Sequence, residues 1–403
     1  MYDTIIVGAR CAGSPLAMLL ARKGYRVLLV DKATFPSDTL STHSLTPDAV
    51  IYLQRWGLLD RLAATDTPPI HTQTLDAGSI VLRGTPAGQV APFYGPRRRV
   101  LDPLLLDAAA EAGAEVRMGF RVQELVWEGN QVIGIRGRTP GGAAVTELAP
   151  LVIGADGKHS FVARSVQASL YDAHPARTCS YYSYWSGVPA EDMTVYVRDQ
   201  CDILVLPTNE ELTLLAVHWP QEKFHEYRAD IEGNFLRTLE QVPQLVERVR
   251  AGRREERFMG TADLPFFFRQ SHGAGWALVG DAGSSKDSIG GHGINDAFRD
   301  AELLAEAIEA GLGGNPPLAT TLADYEQRRN EAARPMYEFL YKLASLAPLP
   351  PEMQRLFAAL QGNQAATDRL FGVLGGTVSF PEFFAPGNIE RIMTGAELAE
   401  VTA

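Results

Sequence analysis

Short apolar runs alternate with amphipathic stretches from the first residues onward. Ile5-Ile6-Val7 is an apolar run with no helical continuation, as a short buried strand would be. From Ala12 to Lys23, Leu16, Leu19 and Leu20 fall on one side of a helix that Gly24 stops. Val27-Leu28-Leu29-Val30 is strand-like again and ends at Asp31. Thr46-Pro47 supplies an N-cap and a first-turn proline, and the helical pattern behind it runs to about Ala64. Residues 71–97, rich in Thr, Val and Gly, read as sheet, and Asp102-Pro103 opens a helix stopped at Gly113.

Short strands fill 114–153, with turn residues Glu128-Gly129-Asn130 and Pro140-Gly141-Gly142 between them. Strands return over 178–218, a helix is expected over about 231–250, and Trp276-Ala277-Leu278-Val279 is a further strand. A long helix follows at about 293–311. From about 322 the chain is helical, interrupted by Pro348-Leu349-Pro350-Pro351. The pattern predicts an α/β protein whose βαβ nucleotide domain uses 1–70, 98–175 and 271–330. A mostly β domain of 71–97 and 176–270 is inserted into it, and 331–403 forms a helical C-terminal region.

Charge narrows the partners. A formal net charge of −11 over 403 residues argues against nucleic acid and anionic membrane surfaces, which call for a basic face. No apolar run approaches the roughly 20 residues that span a bilayer. The first strand begins almost at Met1, so no signal peptide is expected. Cys11, Cys179 and Cys201 are scattered, without disulfide or metal-ligand spacing, and a cytoplasmic setting is the expectation.

Three glycine-acid motifs carry the chemistry. The first, Gly8-Ala9-Arg10-Cys11-Ala12-Gly13, lies between a strand and a helix, as a dinucleotide fingerprint does, with Arg10 where the middle glycine belongs. Asp31, with Lys32 beside it, stands 18 residues beyond Gly13, about where a ribose-binding acid is found. Arg10 is compatible with the fingerprint if its side chain turns outward, where it adds positive charge. The second motif is the strand Leu151-Val152-Ile153 running into Gly154-Ala155-Asp156-Gly157. The third is Ala277-Leu278-Val279 running into Gly280-Asp281-Ala282-Gly283, followed by GGHGINDAFRDAELLA.

Together these motifs resemble the FAD-dependent aromatic hydroxylases of the para-hydroxybenzoate hydroxylase type, the group A flavoprotein monooxygenases, and the geranylgeranyl-reductase-like flavoproteins that share their fold. The resemblance covers about residues 1–330 and implies an FAD-binding, Rossmann-type (glutathione-reductase-like) domain. It implies that Gly8 and Gly13 hold the ADP pyrophosphate at a helix N-terminus and that Asp31, with Lys32, meets the adenosine ribose. Arg98, in Arg98-Arg99-Val100-Leu101-Asp102, matches an arginine on the flavin side, and Asp281 the ribityl contact. Asp156 would border both the pyrophosphate and the approach of a pyridine nucleotide. Gly291, Gly293, Ile294 and Asn295 would aim backbone N–H groups at the flavin edge that becomes anionic on reduction. The chain departs from the family where a histidine usually follows Gly-Asp-Ala-Ala, here Gly283-Ser284-Ser285, and where a proline precedes the glycines, here Ser288.

His43, after the second strand, and His292, between glycines, are the candidate catalytic residues, as proton relay or hydrogen-bond donor; either is otherwise a structural histidine. Lys286-Asp287 reads as a surface pair of little energetic weight, with a site role as the alternative because both sit in the same loop. Tyr181, Tyr182, Tyr184, Trp185, Trp219 and Phe266 to Phe268 form an aromatic supply; strand alternation would turn half of it toward an apolar pocket over the flavin, the alternative being plain sheet packing. Phe371, Phe380, Phe383 and Phe384 either cap the core or form an interface, leaving monomer or homodimer open.

The implied reaction uses NAD(P)H, which docks transiently, and molecular oxygen, and hydroxylates a small hydrophobic, aromatic or polycyclic molecule through a flavin C4a-hydroperoxide. The alternatives are a reductase of carbon–carbon double bonds and a flavin-binding protein without turnover. A flavin halogenase shares the fold, but its Trp-x-Trp-x-Ile-Pro pattern is absent; Tyr184-Trp185-Ser186-Gly187-Val188-Pro189 is out of register.

Overall fold

The central sheet runs in the order His272–Gly273, Trp276–Leu278, Val152–Gly154, Thr4–Val7, Val27–Asp31, Glu115–Met118. All neighbours are parallel except the first pair. This computed structural model describes residues 1–88 and 91–395; residues 89–90 of the expected sheet stretch and 396–403 of the expected helical C-terminus lie outside the described residues. The pleat of Thr4–Val7 sorts its side chains by face. Ile6 packs with Leu16, Leu20 and Leu304 on the side of the helices Gly13–Arg22, Arg98–Glu111 and Gly293–Leu312. Ile5 and Val7 pack with Leu125, Val132 and Ile135 of an antiparallel meander, Arg121–Glu128, Gln131–Arg138 and Ala144–Leu148. Cover on both faces is why these strands are unbroken apolar runs.

Three helices differ from the pattern's expectation. The stretch 46–64 is two helices, Pro47–Arg55 and Leu59–Ala63, parted at Gly57, whose φ is +74°. The stretch 231–250 is likewise two, Ile231–Leu239 and Pro243–Ala251, because Pro243 cannot continue a helix but can begin one. The helix expected from Asp102 starts at Arg98 and tolerates Pro103 inside it. Arg98 and Asp102 therefore sit one turn apart on the same side.

An eight-stranded sheet lies over the carboxyl ends of the first sheet's strands. Its order is Arg253–Arg254, Thr178–Ser186, Thr213–Pro220, Cys201–Pro207, Met193–Arg198, Gln73–Asp76, Val81–Gly84, with Met259–Thr261 also paired to Thr178–Ser186. Alternation again divides the residues. Tyr181, Trp185 and Trp219 pack with Phe235 and Leu245 of the two short helices. Tyr182, Tyr184, Leu214 and Ala216 face the other way. Helix Leu318–Leu343 sets Ala333, Tyr337 and Leu340 on Phe266 and Phe268. The helices after it gather round buried Phe371 and Phe383 and cover Leu82 on the last strand, with Phe380 and Phe384 packed at the margin. These phenylalanines close the end of the sheet.

Candidate active site

The three glycine-acid loops leave adjacent parallel strands at their carboxyl ends and touch one another. Gly8 has φ +109°, and a Cβ there would lie 2.3 Å from the Ala155 carbonyl oxygen in the second loop. A Cβ on Gly13 would lie 1.8 Å from the Gly8 carbonyl oxygen and 3.1 Å from the Ala155 methyl. Gly280 of the third loop, φ +62°, approaches the Ala12 methyl so that an added Cβ would be 2.9 Å away. The first loop is thus wedged between the other two. Asp31 accepts hydrogen bonds from the Ala9 N–H (2.7 Å) and the Ala33 N–H (2.8 Å), tying the first loop to the end of the second strand. Lys32 follows it, exposed.

Arg10 does not turn away from the protein. Its guanidinium pairs with Asp102, donates to Ser37 Oγ (3.0 Å) and lies 5.0 Å from the Phe35 ring centre. Arg98 donates from Nε to the same carboxylate, at Oδ1 (2.9 Å), and Cys11 Sγ is 3.5 Å away. Asp102 is fully buried, so two cations share one buried anion and the cluster keeps a net positive charge beside the first loop.

Asp156 accepts from the Phe161 N–H (2.6 Å) with Oδ2, while its Oδ1 is buried and has no partner. Burial raises its pKa. Asp281 is enclosed by protein but opens to solvent, and burial pushes its carboxyl up to about 6. Helix Gly293–Leu312 begins beside these loops, and its first N–H groups, those of Gly293, Ile294 and Asn295, have no acceptor within the helix. Gly293 borders open space. Asn295 donates to Thr46 Oγ1 and to Asp48 Oδ1 (3.0 Å), and its Oδ1 is buried without a partner. Gly291, φ +70°, approaches Ser44, whose Cβ would stand 3.1 Å from a Cβ at 291. His292 is buried; burial and then Lys286 hold its pKa down at about 4, so it is neutral at pH 7.

Lys286 and Asp287 are not a surface pair. The Lys286 side chain is buried and pairs with Asp296, while Asp287 accepts from Thr178 Oγ1 (2.7 Å) and from the Ile289 N–H (3.0 Å). The two side chains point to different elements, because the backbone at Asp287 is extended (φ −58°, ψ 145°) and sets neighbouring side chains on opposite sides before the turn Ser288–Gly290. Burial opposes the charge of Asp296, but Lys286 and Arg299 hold its carboxyl at about 2. A carboxyl that titrates lower folded than unfolded stabilises the fold above its ordinary pKa and loses that stabilisation as pH falls through the folded value. Asp296→Asn is therefore expected to flatten the fall in urea midpoint between about pH 4 and pH 2. An unchanged acid limb would show that the pairing does not set it.

His43 sits where the second sheet meets these loops. It is fully buried with a left-handed backbone (φ +59°), uncommon for a residue other than glycine. Its Nε2 is 2.7 Å from the Tyr184 hydroxyl, and Nδ1 faces the Pro96 backbone without a well-formed hydrogen bond. Tyr182 stands edge-on at 5.9 Å. Burial first, then the Arg98 charge, push the imidazole down to about 3, so it is neutral. Arg97, itself buried, covers the Tyr184 ring at 4.2 Å and pairs with Asp38 and Glu256. Both expected departures from the family pattern have local partners. Ser288 Oγ meets His218 Nε2 at 3.2 Å, and a Cβ on Gly283 would stand 2.4 Å from Nη1 of buried Arg329.

The sequence profile described as an FAD binding domain matches residues 1–339. The chain belongs to this family. Within the curated relatives, a tryptophan 2-halogenase of Chondromyces crocatus is 24% identical over 80% of this chain and 64% of its own length, so the chain spans under two thirds of that protein. A digeranylgeranylglycerophospholipid reductase of Methanocella arvoryzae is 26% identical over 85% and 86%. The phenazine 1,6-dicarboxylic acid hydroxylase PhzS of Lysobacter antibioticus is 26% identical over 81% and 86%. Among solved structures, the flavin-dependent brominase Bmp2 superposes with a TM-score of 0.81 at 19% identity, covering 98% of each chain. The chain is thus an FAD-dependent oxidoreductase of the group A flavoprotein monooxygenase-like superfamily.

The residues at these loops fit FAD on their own chemistry. Buried Asp156 Oδ1 and Asn295 Oδ1 lack partners, Asp281 is open, and unpaired helix N–H groups face open space at Gly293. Sequence reasoning missed Asp102 as the centre of a charge cluster, Tyr184 as the partner of His43, and the His218–Ser288 contact. Only the Arg-x-x-Leu-Asp spacing could have drawn attention to the first. Among the described residues no helix is long and apolar enough to cross a membrane, and no cluster has metal-ligating composition.

Proposed function

We propose that this flavoprotein is an NAD(P)H-consuming monooxygenase that hydroxylates a small hydrophobic, aromatic molecule. FAD would lie across the carboxyl ends of the strands, the usual ligand position in such sheets. Its pyrophosphate would meet Gly8, Gly13 and the first helix, its adenosine ribose Asp31 and Lys32. Asp281 would take the ribityl hydroxyls, with Arg98 on the flavin side, Asp156 beside the pyrophosphate, and Gly291, Gly293, Ile294 and Asn295 at the ring edge. When bound, FAD supplies the hydride acceptor and the oxygen chemistry.

The observation that carries the reading is His43. It is a neutral, buried imidazole, with one nitrogen engaged by Tyr184 and the other unsatisfied, beside the aromatic face of the second sheet. With its pKa held down to about 3 the imidazole would not deprotonate a phenol; the neutral His43–Tyr184 pair would instead fix the aromatic wall against which an electron-rich ring could lie. Arg97 covers the Tyr184 ring and holds that pair in place, and the apolar face of Leu204, Leu206, Leu214 and Ala216 would exclude water. His292, the second neutral imidazole, stands at the start of the helix and would border the flavin edge. Trp185 stacks on Phe235 on the far side of the sheet, 5.5 Å between centres, which leaves the inner face without a tryptophan and favours hydroxylation over halogenation.

The balanced reaction converts R–H, O2, NAD(P)H and a proton into R–OH, water and NAD(P)+. Oxidation of NAD(P)H by the yellow protein is measured with candidate phenols, under air and under nitrogen, with halide present. The expected result is oxygen-dependent consumption and a product heavier by one oxygen atom. A saturated product formed under nitrogen would replace this reading with the reductase, and a halogenated product with the halogenase.

A further inference from the structure

Outside the site just described, the described residues hold one buried acid–imidazole pair that meets the glycine loop. His218, on strand Thr213–Pro220, is 1% exposed. Its Nδ1 is 2.6 Å from Asp202 Oδ1 on the neighbouring strand, and its Nε2 is 3.2 Å from Ser288 Oγ. Ser288 begins the turn that leads through Gly291 and His292 into helix Gly293–Leu312. Strand register places His218 opposite Ser180 and Asp202, in line with Ala216 and Tyr182, so it shares the sheet face that carries Tyr184. One face of one sheet therefore touches His43 near one end and the glycine loop near the other. Those two contacts meet again, since Gly291 abuts Ser44.

We propose that His218 is a positioning residue, which ties the Ser288–Gly293 turn to the second sheet and so fixes the helix N-terminus that faces the flavin edge. The inference rests on the FAD reading above. The link is suited to its place. Asp202 holds the Nδ1 proton, so when His218 is an imidazolium, Nε2 donates to Ser288, and when it is neutral Nε2 accepts from the serine hydroxyl. The bond reverses on titration but is not lost. The charged groups that face the ring are Asp202 and Asp287; against the cost of burial they favour the protonated form. Asp287, which accepts from Thr178 Oγ1 of the same sheet, is a second tether at the same turn. A helix N-terminus favours nearby negative charge, so its placement sets how well a reduced, anionic ring edge is stabilised.

The test uses the FAD-loaded full chain, with two readouts, the dissociation constant of FAD and the midpoint potential of the bound flavin. His218→Phe, Ser288→Ala and the double variant are compared. Each single variant is expected to weaken FAD binding about tenfold, the worth of one hydrogen bond to a charged group, and to lower the potential. The double variant is expected to be no worse than either single, since both remove one link. Ser288→Ala guards against a folding defect, because it removes a hydroxyl from a half-buried turn and leaves the sheet's interior intact. Full additivity of the two changes, or an unmoved potential in folded Ser288→Ala protein, overturns the proposal while leaving the FAD reading in place. A parent protein that binds no FAD overturns both.

Discussion

Asp102→Ala is expected to destabilise the protein by about 3–5 kcal/mol, the range for removing one partner of a buried ion pair. The magnitude follows from what would be left behind. Arg98 is buried and donates to that carboxylate from Nε at 2.9 Å, and Arg10 pairs with the same group. Both guanidiniums would lose their only carboxylate partner among the described residues, in a setting where water replaces it poorly. Asp102→Asn, which keeps shape and one acceptor, is expected to fall between. Urea unfolding followed by tryptophan fluorescence reads the difference. A loss under about 1 kcal/mol in the alanine variant would mean that solvent reaches the cluster freely.

Gly13→Ala is expected to reverse an ordinary rule. Alanine in a helix usually stabilises by roughly 0.5–1 kcal/mol relative to glycine. Here the new methyl would stand 1.8 Å from the Gly8 carbonyl oxygen and 3.1 Å from the Ala155 methyl, and the first of these belongs to backbone that cannot rotate away. Relief requires parting the first loop from the second, so a destabilisation of about 3 kcal/mol and a loss of FAD affinity on the order of a hundredfold are expected. Flavin retention during gel filtration, together with the unfolding midpoint, checks it. A yellow, undestabilised Gly13→Ala protein would show that the loops have slack and that the close approach is not required.

The framework was legible where local pattern and long-range structure agree. Ile5-Ile6-Val7, Val27 to Val30 and Leu151 to Ile153 are apolar because both faces of the sheet are covered, and the glycine-acid loops follow them directly. Pro243 and Gly57 break patterns that are otherwise continuous in their helical spacing. The charge clusters stayed hidden for a different reason. Arg10 and Asp102 are 92 positions apart, and His43 and Tyr184 are 141 apart, so no spacing rule connects them. Adjacent opposite charges such as Lys286-Asp287 are usually solvated, whereas here each side chain points inward to its own partner. Ser288 and Gly283 looked like losses from a pattern, yet each has a distant side chain, His218 or Arg329, in the space beside it.

The division of strand Thr213–Pro220 into two faces also guards against misassembly. Were that strand to pair one position out of step, Trp219 and Val217 would turn toward the Ser288 loop. His218 would be driven in among Trp185 and Phe235, with no acid beside it. Either face alone would resist such a one-residue slip, and the two together resist it more strongly.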